Sequence, residues 1–370
     1  MITSGLLIWG VAKVPGELIG YGRRMAMNLG QSEMLYTAEG RNTSIAVSRW
    51  HDGSIQFHVA GKVEASTIGY DMRLQRMLGN LGGLIHENPR SVLVVGFGAG
   101  VTAGSFVPYR GVQRILICEL EPLIPPTSTR FFEAQNYDVM NDSRTAIVYD
   151  DARHFILTTR EKFDVITSDP IHPFVKGSAT LYSKEYFEML KAHLNPGGVV
   201  TQWIPLYESD AATVKSEIAT FFAVFPHSTM WANTVAGKGY DLVLVGHLTT
   251  PRIDIDAVQA RLDREDYALV KASLGDVGIA RAVDVFGTYL GDAEDLKPWL
   301  ADAEINYDRD LKLQYLAGLA LNNNLEDVIY RAIMRHRRPP GALFVGSEGP
   351  MNVLNENILR AYLNASDLDE

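Results

Sequence analysis

One glycine run and a few acids placed after apolar runs carry the chemistry this sequence offers. Gly96-Phe-Gly98-Ala-Gly100 follows directly on Ser91-Val-Leu-Val-Val. Glycines there permit a tight turn and let backbone N–H groups approach a ligand at a helix N-terminus. The run reads G-x-G-x-G; Val101 stands where the dinucleotide form G-x-G-x-x-G has its last glycine, which points away from NAD. Glu119 comes 21 residues after Gly98, at the end of the second apolar run. From that place a carboxylate can accept both hydroxyls of a ribose. Asp150-Asp151 ends the third run, where a carboxylate can accept from an adenine amine; equally, each aspartate can be a loop carboxylate, a helix N-cap or a solvated charge. Ser168-Asp169-Pro170 ends the fourth run.

The elements that must position these residues follow from the pattern around them. From residue 91 the apolar runs Ser91-Val-Leu-Val-Val, Ile115-Leu-Ile-Cys, Ala146-Ile-Val-Tyr, Phe163-Asp-Val-Ile-Thr and Gly198-Val-Val-Thr-Gln recur, most of them separated by helix-length segments. Continuously apolar strands in β/α alternation predict a parallel sheet covered on both faces. Ligands of such sheets bind outside the carboxyl ends of the strands, where all four features fall. Ser228-Thr-Met-Trp and Tyr240-Asp-Leu-Val-Leu-Val add two further strands. Before this region, residues 42–68 hold Ser44-Ile-Ala-Val-Ser and Ile55-Gln-Phe-His-Val around the turn signal His51-Asp-Gly-Ser54, which predicts a hairpin-rich unit. After Pro251 the periodicity turns helical, in Asp256–Leu262, Leu311–Ala317 and Leu325–Arg338, and predicts an all-helical tail. Arg335-His-Arg-Arg338 just before Pro339-Pro-Gly341 suits cations at a helix C-terminus, with a nucleic-acid patch as the alternative.

Composition narrows the function classes. A chain of 370 residues predicts two or three domains at about 150 residues each, here 1–88, 89–250 and 251–370. With 46% hydrophobic and 21% charged residues it reads as an ordinary soluble globular protein, and no uncharged apolar run reaches the roughly 18 residues of a spanning helix. The short apolar stretch Leu6–Ala12 is read as neither a spanning helix nor a signal peptide, and the compartment as cytoplasmic. The single cysteine, Cys118, cannot form an internal disulfide and reads as a buried strand residue. Nine scattered histidines give no zinc signature, so no metal is expected. A net charge of -10 disfavours nucleic acid and favours cationic partners.

The stretch His86-Glu-Asn-Pro-Arg-Ser-Val-Leu-Val-Val-Gly96 resembles the segment leading into the glycine loop of spermidine synthases, the polyamine aminopropyltransferases. Cys118-Glu-Leu-Glu, Asp151-Ala-Arg, Phe163-Asp-Val-Ile, Asp169-Pro-x-x-Pro173 and Leu181-Tyr-Ser-Lys-Glu-Tyr-Phe187 follow in that family's order, so that the resemblance spans about residues 42–248. Ile305–Tyr315 resembles the end of a bacterial branch in which such a domain is fused behind a membrane-transporter domain, and Val14–Gly22 then looks like the linker after that membrane part. The resemblance implies a class I methyltransferase-like Rossmann domain with a small N-terminal β domain and a helical C-terminal extension. It also implies a transferase of polyamine biosynthesis, which moves the aminopropyl group of decarboxylated S-adenosylmethionine to a small amine such as putrescine and releases methylthioadenosine.

By position, Gly96, Gly98 and Gly100 would lie against the donor, Glu119 would hold its ribose and Asp151 its adenine, with Asp150 beside it. Gln75 falls in a segment that contacts the donor in the family, and Asp169 would be the base near the amine, aided by Tyr182 or Asp150. A homodimer is the family's common state. Two positions depart from the family pattern: Ala99 replaces the acid of G-G-G-D-G that anchors the donor's ammonium, and Ile166 the first acid of D-S-x-D-P. Those losses keep two other readings open, a different reaction on S-adenosylmethionine itself, such as methyl transfer, and a nucleoside-binding domain without chemistry.

Overall fold

The computed structural model describes residues 14–366; the stretch Leu6–Ala12 lies outside them. The N-terminal unit is an antiparallel meander of β1 (Ser32–Glu39), β2 (Ser44–Trp50), β3 (Ile55–Val59) and β4 (Lys62–Ser66). Its turns follow local chemistry. Between β2 and β3 the Asp52 carboxylate accepts the Ser54 N–H at 2.9 Å and Gly53 takes φ +88°. Between β3 and β4 a two-residue turn places Ala60 and Gly61 both at positive φ, the geometry that matches the twist of a hairpin.

The larger sheet holds β5 (Ser91–Val95), β6 (Arg114–Glu119), β7 (Thr145–Tyr149), β8 (Phe163–Ser168), β9 (Leu194–Pro205), β10 (Thr229–Val235), β11 (Lys238–His247) and β13 (Tyr289–Asp292), in the order β13-β10-β11-β9-β8-β5-β6-β7. Strands β9, β8, β5, β6 and β7 run parallel, and β11, β10 and β13 extend the sheet by antiparallel pairing. Successive residues serve opposite faces: Val92 and Val94 pack into one hydrophobic core and Leu93 into the other. Burial on both faces is why these strands read as unbroken apolar runs.

The helix Gly69–Ile85 joins the two units and is almost wholly buried from Leu74 onward. A Cβ at Gly82 would stand 2.6 Å from a Val165 methyl, so the missing side chain lets the helix lie directly on the sheet. The C-terminal region is helical at Ile255–Leu262, Lys312–Ala320, Glu326–Met334 and Glu348–Ser366, near the expected segments. It is not all helix, however. β13 adds an edge strand to the main sheet, and β12 (Ile253–Asp254) pairs in parallel with β14 (Phe344–Val345). Strands of two and four residues between helices leave no periodic signal to read. The basic cluster follows Glu326–Met334, and Arg337 donates to the Ile358 carbonyl of the last helix. Among the described residues, no helix is long and apolar enough to cross a membrane.

Candidate active site

Strand β5 pairs with β6 on one side and β8 on the other, so the chain direction of successive crossovers reverses there. A cavity of about 900 Å³ opens at the carboxyl ends of these strands and runs under the N-terminal sheet. Gly96, Gly98, Glu119, Asp150, Asp151, Gln75 and Asp169 all line it; Gly100 and Tyr182 do not.

The residues expected to face the donor are held by local backbone. Gly96, Gly98 and Gly100 sit at φ +84°, +52° and +80°, in the left-handed region that glycine enters without strain. Glu119 turns back onto the loop: its Oε2 accepts the Phe97 N–H at 2.7 Å and its Oε1 the Glu121 N–H at 2.8 Å. Those bonds oppose the effect of burial, which still leaves the carboxyl above its usual range. Asp151 caps the helix Ala152–Thr158 by accepting the N–H groups of Arg153 and His154, and Asp150 bonds the His154 ring at 2.6 Å. The N-cap alternative is therefore realised at Asp151, on the cavity wall. Gly100 works from behind, as the residue that starts Val101–Gly104, where a Cβ would stand 2.7 Å from the Phe97 ring.

The opposite side is assembled from distant segments. Asp169, just past β8, accepts from the Thr102 hydroxyl at 3.2 Å, and its carbonyl lies 3.7 Å from where a Gly96 Cβ would stand. Removal from water, with Glu64 and Asp71 nearby, lifts its carboxyl to about 7. Burial likewise raises Asp71 to about 6, against a hydrogen bond from Ser66. Glu64 on β4 is raised by burial, and Asp241 on β11 is raised by burial with Asp71 and Asp169 close by. Asp241 accepts the Trp203 indole N–H at 2.8 Å. Tyr207 stacks on Tyr240 at 4.6 Å, and Tyr70 meets Tyr240 edge-on. Acids beside aromatic faces suit an ammonium group.

Ile166 is fully buried within β8, paired with Leu93 and Val200, and cannot serve the cavity. Tyr182 stands behind the cavity rather than on its wall: its ring is fully buried in the second core, and its hydroxyl, without a hydrogen-bond partner, feels the charges of Glu217, Asp169 and Glu64. Sequence reasoning missed the cavity-lining residues Glu64, Asp71, Trp203, Tyr207 and Tyr240, and Asp241, which holds Trp203 from behind. Asp71 carried a faint signal, four residues before Gln75 on one helix face, because i and i+4 share a face. Among the described residues no His, Cys, Asp and Glu side chains are grouped to hold a metal ion.

Fold and cavity define a methyltransferase-like Rossmann domain with a nucleoside-type loop on one side and an acidic, aromatic recess on the other. Residues 71–254 match the spermine/spermidine synthase domain. It is 25% identical over 227 residues to a polyamine aminopropyltransferase of Aeropyrum pernix, covering 58% of this chain and 72% of that one. The corresponding protein of Saccharolobus solfataricus is 26% identical over 221 residues, covering 54% and 70%. Among solved structures, a spermidine synthase in complex with the transition state analogue AdoDATO superposes with a TM-score of 0.55 at 18% identity, over 66% of this chain and 88% of that one. A probable spermidine synthase from Corynebacterium glutamicum gives 0.51 at 17% identity, over 74% and 96%.

Proposed function

We propose that the chain transfers the aminopropyl group of decarboxylated S-adenosylmethionine to a small amine. The observation that carries this reading is Asp169 beside the glycine loop, its carboxyl lifted to about 7 by removal from water and by Glu64 and Asp71 in the same cavity. A carboxyl raised by burial and by neighbouring acids is relieved when a cation enters beside it. Asp71 and Asp169 stand in for the acids missing at Ala99 and Ile166.

Glu119 holds the ribose, Asp150 and Asp151 the adenine side, and the N–H groups of the glycine loop face the donor. Asp169 accepts a proton from the acceptor's ammonium. The freed nitrogen lone pair attacks the propyl carbon on the sulfonium, the new C–N bond forms as the C–S bond breaks, and its electron pair stays on sulfur in methylthioadenosine. A base near 7 is well matched to this transfer. The same acids repel the carboxylate of intact S-adenosylmethionine, which favours the decarboxylated donor over methyl transfer.

The test is methylthioadenosine release from decarboxylated S-adenosylmethionine with and without a mixture of mono- and diamines. Amine-dependent release is the expected result; tight methylthioadenosine binding with no release from any amine would leave a nucleoside-binding domain instead.

A further inference from the structure

Lys62 opens β4 immediately after the Ala60–Gly61 turn and points its side chain into the cavity wall, where only 19% of it is exposed. Its Nζ stands 3.5 Å from a Glu64 oxygen and 3.9 Å from a Glu208 oxygen, and it lies 5.9 Å and 5.7 Å from the ring centroids of Phe174 and Tyr207. At 2.8 Å it donates to His172 Nδ1. An ammonium has no lone pair to offer, so that nitrogen is the acceptor and the ring proton sits on Nε2. Burial together with Lys62, Arg23 and Arg24 holds His172 well below its ordinary range and keeps it neutral.

Two carboxylates, two ring faces and one neutral acceptor make a complete receptor for an ammonium group. Here the chain fills that receptor itself. Glu208 is kept in it by Arg23 and Arg24, and Arg23 also bonds Asn322 from the C-terminal region. The Glu208 backbone takes φ +50°, a left-handed conformation that a non-glycine residue holds only when its surroundings enforce it. On this wall the anions Glu64 and Glu208 are matched by Lys62, Arg23 and Arg24. Asp71 and Asp169 are left for the donor's ammonium and the reacting amine. A second substrate ammonium would meet Lys62 as a like charge in a partly dry recess, whereas Tyr70, Trp203 and Tyr240 offer apolar faces.

We propose that Lys62 occupies, from within the chain, the place of a diamine's far ammonium, and thereby sets the acceptor as a primary monoamine with an apolar tail. This rests on the aminopropyl-transfer reading, and two separate readouts distinguish its failure from that of the reading. The first is binding of n-butylamine and of putrescine, by calorimetry with methylthioadenosine present, to the wild-type chain, Lys62→Met and Lys62→Arg. The second is methylthioadenosine release with the same two amines. Wild type should favour n-butylamine over putrescine by at least tenfold. Lys62→Met, which leaves Glu64 wanting a cation, should shift that ratio at least tenfold toward putrescine, and Lys62→Arg should keep the wild-type preference. Putrescine favoured by the wild type, or the same ratio in wild type and Lys62→Met, would overturn the role of Lys62. Binding ratios as expected with no release from either amine would uphold Lys62 and overturn aminopropyl transfer.

Discussion

The two sides of the cavity are built in opposite ways. On the side proposed for the donor, Glu119 ends one parallel strand and Asp150 and Asp151 follow another, and they spend part of their bonding capacity on nearby backbone or a neighbouring ring. On the acceptor side, Glu64, Asp71 and Asp169 come from three separate elements and stand raised chiefly by burial, Asp169 also by the other two. Neutral hydroxyls and an adenine amine need acceptors held in place; a cation needs charge withheld from water until it arrives. Local sequence is enough for the first, and only the folded chain produces the second.

The change expected to separate the two sides most sharply is Asp169→Asn. It should lower amine-dependent turnover by about 10³-fold, within the usual range for loss of a general base, while methylthioadenosine binding measured by calorimetry stays within about threefold. Equal losses in both would erase the distinction. The reciprocal change, Glu119→Gln, should raise the donor KM by about ten- to a hundredfold, the worth of a charge-assisted hydrogen bond, and leave the KM for the amine unchanged.

Those two variants also mark what the sequence made legible. The places of the glycine run, Glu119 and Asp150-Asp151 at the strand ends were readable because one strand and the turn after it set each of them. The acceptor wall was not, because Glu64 and Asp71 flank the junction between the small sheet and the helix Gly69–Ile85, while Trp203, Tyr207, Tyr240 and Asp241 lie more than 130 residues further on. Tyr182 shows the converse: it sits in a family-like segment, yet the turn Ser178–Tyr182 buries its ring in the core. The main parallel strands were legible from their apolar runs, whereas β13 was too short to stand out among helices.

Gly100→Ala probes the donor side through its scaffold. Its Cβ would press on the Phe97 ring from a left-handed backbone, so chemical denaturation should show a loss of about 1–3 kcal/mol, and a neutral result would mean the loop relaxes freely.

The last effect is one of pH on the ligand-free protein. An aspartate is largely ionised above about 4 when unfolded, whereas Asp169 keeps its proton to about 7 when folded. The folded state therefore holds the extra proton, and this contribution to stability, full below about 4, is lost as the pH rises to about 7. The melting temperature of the wild type should fall relative to that of Asp169→Asn between pH 5 and pH 8. A constant difference would place Asp169 in ordinary solvent.

The central claim, that the acceptor side withholds charge for an incoming cation, is tested most directly by titrating Asp169 itself. Carboxyl-carbon NMR of aspartate-labelled protein, with the signal assigned from its loss in Asp169→Asn, follows that group with and without methylthioadenosine and n-butylamine. The account predicts a midpoint near 7 in the free protein and a clear downward shift once the amine is bound. A midpoint near 4 in both states would contradict it.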